Sequence, residues 1–82
     1  MNPDESYNNR IVVQSDVHFG KPCIAGTRIT VQDVLELLEN GITFDEMIEK
    51  YYPDINIEDI KACIHYAAEI IRSEEIHLEK AV

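Results

Sequence analysis

Residues 30–46 read Thr-Val-Gln-Asp-Val-Leu-Glu-Leu-Leu-Glu-Asn-Gly-Ile-Thr-Phe-Asp-Glu, a helix, its stop and the start of a second helix. Thr30 suits an N-cap, because its hydroxyl can accept from an amide of the first turn. Val31, Val34, Leu35 and Leu38 recur at helical spacing and share one face. Asn40-Gly41 ends the run, glycine being favoured just past a helix end. Thr43-Phe44-Asp45-Glu46 has the form of a capping box, in which threonine and glutamate each satisfy an amide of the other. The helix it opens groups Phe44, Met47, Ile48 and Tyr51, and Pro53 stops it.

Downstream, a third helix is expected from near Asn56, with Glu58 and Asp59 at the positive end of its dipole. Ile57, Ile60, Ile64, Ala67, Ala68 and Ile71 form its expected core stripe. Cys63, Tyr66 and Ile70 lie on a second flank, more apolar surface than one core contact uses. Upstream, Ile11-Val12-Val13 is a β-branched run that predicts a strand. Cys23-Ile24 and Arg28-Ile29-Thr30-Val31 flank Ala25-Gly26-Thr27, and Gly26 admits the positive φ of a tight turn. Two or three short strands are expected there. The fold class is therefore mainly α, a short N-terminal β-hairpin followed by three helices. Residues 1–9 read as a loose polar arm, 10–75 as one domain, and 76–82 as a charged tail or helix end.

Composition narrows the function. The 82 residues are 45% hydrophobic and 28% charged, with a net charge of −9. A chain this short buries roughly 60–65% of its unfolded surface, so its core gains from association with another subunit. The acidic balance repels phosphate backbones and membrane headgroups and steers towards basic partners. No apolar run reaches the roughly 18 residues of a membrane span, and the N-terminus lacks the basic-then-apolar order of a secretory signal. A cytoplasmic location with no membrane partner is expected, with Cys23 and Cys63 as reduced thiols.

Catalytic signals are lacking. His18, His65 and His77 share no pattern with acids or cysteines. Cys63 and His65 are two apart, which on a helix points them about 200° from each other and away from a shared metal. Gly20-Lys21-Pro22 and Gly26-Thr27 carry glycines and cations, but not at phosphate-loop spacing. Asp33, Glu36 and Glu39 recur opposite the apolar stripe as a solvated face. A non-enzyme without metal or cofactor is expected.

Binding residues are easier to nominate. Lys21, Arg28 and Lys61 are candidates for DNA contact, yet the third helix opens with two acids where a recognition helix needs cations. Arg28 has a rival structural role, bridging carbonyls or Asp33. For protein contact, the edge Ile11, Val12 and Val13 invites strand pairing and a homodimer, and Cys63, Tyr66 and Ile70 supply a spare apolar flank.

The blocks Gly20-Lys21-Pro22-Cys23-Ile24-Ala25-Gly26-Thr27-Arg28-Ile29-Thr30-Val31, Asn40 to Ile48, and Tyr52-Pro53-Asp54-Ile55 through Ile60 to His65-Tyr66-Ala67-Ala68 are recognisable in that order. Together they resemble the domain-of-unknown-function family numbered 433, over about residues 10 to 72. The closest motif matches are Gly20, Lys21, Pro22, Gly26, Thr27 and Arg28. The resemblance implies a homeodomain-like or winged helix–turn–helix bundle and a bacterial or archaeal source. It further implies an antitoxin-like protein of the VapB kind that neutralises a PIN-like nuclease toxin, with a DNA-binding, self-repressing regulator as the alternative. It implies no catalytic residues.

Overall fold

The β-branched run at the start of the domain forms strand β1 (Ile11–Val12), which pairs antiparallel with β2 (Cys23–Ile24), Ile11 opposite Ile24 and Val12 opposite Cys23. The computed structural model describes residues 9–16 and 18–81, with side chains at 9–16 and 19–73. Eight residues of the expected N-terminal arm therefore lie outside the described residues. The segment Arg28–Val31 is not a third strand. Its contribution to the sheet is one bridge from Thr30 to Cys23, because Thr30 is already committed to capping a helix.

That helix, α1 (Val31–Glu39), starts where Asp33 N–H donates to Thr30 Oγ1 at 3.0 Å. It ends at Asn40. Gly41, at φ 86°, lets its N–H reach Leu38 O and the Ile42 N–H reach Leu37 O, both at 3.0 Å. This pair of bonds satisfies two carbonyls that a helix end otherwise leaves open. The chain turns at once into α2 (Phe44–Glu46), whose capping box is present as expected. A widened turn over Met47–Tyr51 continues it, with Tyr52 N–H donating to Met47 O at 2.8 Å. Pro53 follows and pushes Tyr52 into extended backbone, so the helix cannot go on.

The last helix, α3 (Ile57–Ala81), is 25 residues long. Asn56 and Asp59 open it reciprocally. Asp59 N–H donates to Asn56 Oδ1, and Asn56 N–H donates to Asp59 Oδ2, each at 3.0 Å. Regular helix carries through positions 76–81. None of the described helices is long and apolar enough to cross a membrane.

Val34, Met47, Ile60 and Cys63 are fully buried where α1, α2 and α3 meet, and Ile11 and Ile24 extend this core to the hairpin. The face of α3 that does the packing matches the expected stripe at Ile60 and departs from it elsewhere. Ile60, Ala62 and Cys63 are buried and Tyr66 packs against them, whereas Ile57, Ile64 and Ile71 are 40%, 39% and 55% exposed. Both flanks are apolar, and α1 and β1 pack against the surface between them, which takes Ile60 from one and Cys63 and Tyr66 from the other. The architecture is a mainly helical domain, a two-stranded antiparallel hairpin followed by three helices.

Candidate functional site

The segment 20–31 works as a clasp between hairpin and helix. After β2 the chain reverses through Ala25 and Gly26, with Thr27 N–H donating to Ile24 O at 3.0 Å. Gly26 sits third in this turn at φ 78°, a conformation that disfavours any residue with a Cβ. The Thr27 hydroxyl donates to Ile24 O at 2.8 Å and accepts from Ile29 N–H at 3.0 Å, closing the turn from inside. Pro22 O accepts from Val31 N–H at 2.9 Å, which ties an open amide at the start of α1 to the hairpin. Gly26, Thr27 and Pro22 therefore have structural reasons to be where they are.

Two cations of the segment point elsewhere. Arg28 is exposed and makes no bond to Asp33 or any other group among the described residues, so the bridging role expected for it is not realised. It lines a shallow hollow beside the turn with Val12, Gln14 and Thr27. Lys21 lines a different hollow, and Lys61 lies 3.9 Å from Glu58 on the exposed face of α3. The three proposed DNA contacts are thus not gathered in one hollow.

The hollow beside Lys21 is the candidate site. It is a groove of about 570 Å³ between α1 and the outer half of α3, lined by Val31, Leu35, Tyr66, Ala67, Ile70 and Ile71. Lys21, Gln32, Glu36 and Glu39 stand among its lining residues. Gln32 Nε2 donates to Glu36 Oε1 at 3.0 Å, which holds that carboxylate in place. The groove arises because α1 stops after nine residues while α3 runs on, leaving apolar helix surface unmatched. It offers apolar contact with two carboxylates nearby. Among the described residues no three of histidine, cysteine, aspartate and glutamate gather to hold a metal ion.

A model of the family described as "Protein of unknown function (DUF433)" matches residues 11–67. The chain belongs to the DUF433 family. The clasp, α1, α2 and the buried half of α3 all fall within the matched residues, and the groove straddles their C-terminal limit. The chain is also similar to a crystal structure of a DUF433 member protein from Anabaena variabilis, with a TM-score of 0.71 and 28% identity over 95% of this chain and 74% of that one. No curated protein matches the chain.

Against the family fold, the nominated protein-contact residues divide. Ile11 and Cys63 are core residues, and neither can meet a partner while the domain is folded. The Cys63 thiol is pushed up to about 12 by burial and by the charge of Asp59, which leaves it protonated and unreactive at neutral pH. Val12 is half-buried, and Val13 is exposed just past the end of β1. Tyr66 and Ile70 line the groove. Sequence reasoning missed Leu35 and Ala67 as lining residues, because each belongs to a stripe that reads as core. It also missed Phe19, which is 99% exposed at a positive φ of 56°. The only sequence signal was its place in a turn-rich stretch.

Proposed function

We propose that this DUF433 domain is a non-enzymatic, antitoxin-like binding module, which neutralises a PIN-like nuclease by holding an apolar segment of it in the groove between α1 and α3. The observation that carries this reading is the groove itself, an apolar trough with Glu36 and Glu39 beside it on a chain of net charge −9. Nuclease surfaces that bind nucleic acid are basic, and an acidic partner approaches them with complementary charge. A helix with apolar residues towards Leu35, Ala67 and Ile70 and basic residues towards Glu36 and Glu39 fits such a trough.

Co-expression with the product of the neighbouring gene tests it. The pair co-purifies, and Ile70→Asp, at a position already 47% exposed, weakens the complex at least about tenfold. A neighbour that is not a nuclease, or a complex indifferent to Ile70→Asp, overturns the reading.

A DNA-binding regulator is the second reading. Its support is the helix order, α2 and α3 joined by the short link 52–56 in the manner of a homeodomain-like helix–turn–helix. Lys21, Arg28 and Lys61 are the exposed cations it would use. The acidic opening of α3 counts against it, since phosphate contacts dominate affinity. Absence of a gel shift on the protein's own upstream DNA at low salt eliminates it for the isolated chain.

A further inference from the structure

Helix α3 outruns the domain that it closes. Its 25 residues span about 37 Å, yet among the side chains described, through Ser73, the last buried one is Cys63. Beside the core face stand Ile57, Ile64 and Ile71, all exposed. They recur every seven residues. A straight helix drifts about 20° per heptad, so a seven-residue apolar seam is the pattern of a helix wound against another helix. Exposed Lys61 and Ala68 fill the alternate positions of the same seam, and the small Ala68 lets a second backbone come close.

Charge decides the orientation. Glu58, His65 and Arg72 each follow one of the isoleucines by a single residue, so all three flank the seam on the same side, with the acid at one end and the base at the other. In an antiparallel pair these flanks meet with their ends exchanged, and Glu58 stands beside Arg72 of the second copy, twice per dimer. In a parallel pair they meet the opposite flank, Ile60 and Ala67, and the charges find no partner. At present Glu58 is paired with Lys61 and Arg72 with Glu69, three residues away within the helix. Exposed pairs of that kind are weak and yield readily.

We propose that a second copy of this chain docks antiparallel along α3, on the seam Ile57, Lys61, Ile64, Ala68 and Ile71, with Glu58 and Arg72 exchanged across it. This surface borders the core at Ile60 and shares Ile71 with the groove. Glu58, Ile64 and Arg72 do not line the groove, so substitutions at these three residues test the dimer apart from the groove's partner.

Light scattering on the full chain at roughly 100 µM reads the expected doubled mass. Ile64→Glu returns the mass to that of a single chain, with helicity by circular dichroism unchanged. Glu58→Arg and Arg72→Glu each weaken dimerisation about three- to tenfold, and the double variant restores it. A single-chain mass for the natural protein overturns the proposal, as does a dimer that survives Ile64→Glu. Should Ile64→Glu lose its helicity, the charge exchange decides, and a double variant no tighter than the singles overturns the antiparallel seam.

Discussion

Arg10 Nη1 lies 3.0 Å from Asp59 Oδ1, an ion pair that joins the residue before β1 to the first turn of α3 across 49 positions. The pair closes the domain at both ends. Arg10 O accepts from Ala25 N–H at 2.7 Å on the hairpin side, and the second oxygen of Asp59 holds the Asn56 amide on the helix side. Asp59 is 14% exposed and Arg10 35%, so solvent screens the pair only in part. Arg10→Ala is expected to lower stability by about 1 kcal/mol, and Asp59→Ala, which also removes the cap, by about 2 kcal/mol. Urea unfolding of the three proteins checks the order. Equal costs would mean that the cap contributes nothing.

The clasp after β2 has two separable parts. Gly26→Ala places a Cβ on a residue at φ 78° where no atom stands in its way, so its cost is that of the backbone conformation alone, about 1–2 kcal/mol. Thr27→Val keeps the shape and removes the hydroxyl that both donates and accepts, at a cost of about 1–2 kcal/mol. Denaturation midpoints of the two variants give these values, and wild-type stability in either one contradicts the assigned role.

The alkaline limb of stability follows from Cys63. Burial and Asp59 raise its thiol from 9.0 to about 12. A thiol is neutral when protonated, so the folded chain holds this proton more tightly than the unfolded chain does. The stabilisation is whole below pH 9.0 and is lost as pH rises towards 12. Tyr52, raised by burial and by Asp33, acts with the same sign. Denaturant midpoints are expected to fall across this window, and Cys63→Ala to flatten the fall. An unchanged slope in Cys63→Ala would assign it to other groups.

Phe19 offers a test of opposite sign. Its backbone at φ 56°, ψ 36° is left-handed, which costs a bulky residue roughly 1 kcal/mol, and its ring is exposed and gains no burial in return. Asparagine tolerates that conformation. Phe19→Asn is therefore expected to raise stability by about 0.5–1 kcal/mol in thermal or urea unfolding. A loss instead would require a folded-state contact for the ring.

Much of the fold is legible in the order of the residues, and the legible parts share a cause. The Thr30 cap, the Asn40-Gly41 stop and the Thr43–Glu46 box each complete themselves within a few residues, so their partners stand next to them in the sequence. The turn at Gly26 is local in the same way. The family blocks coincide with these local devices and with the clasp that joins them, and so the match over residues 11–67 marks the same region.

What failed depended on distance. The stretch Arg28–Val31 reads as a strand by its β-branched residues, but Thr30 was needed as a cap. Arg10–Asp59 spans the whole domain, and nothing near either residue announces it. Cys63 and Tyr66 looked spare only because a second apolar stripe ran along the same helix.

The sequence by itself determined where α1 starts and stops and where α2 and α3 start, since hydrogen bonds within a turn or two settle that. Tertiary structure alone decided which face of α3 is core. Adjacent apolar stripes are equivalent to a helix in isolation, and only the approach of α1 and β1 could bury Ile60 from one and Cys63 from the other and leave Ile57, Ile64 and Ile71 in the open.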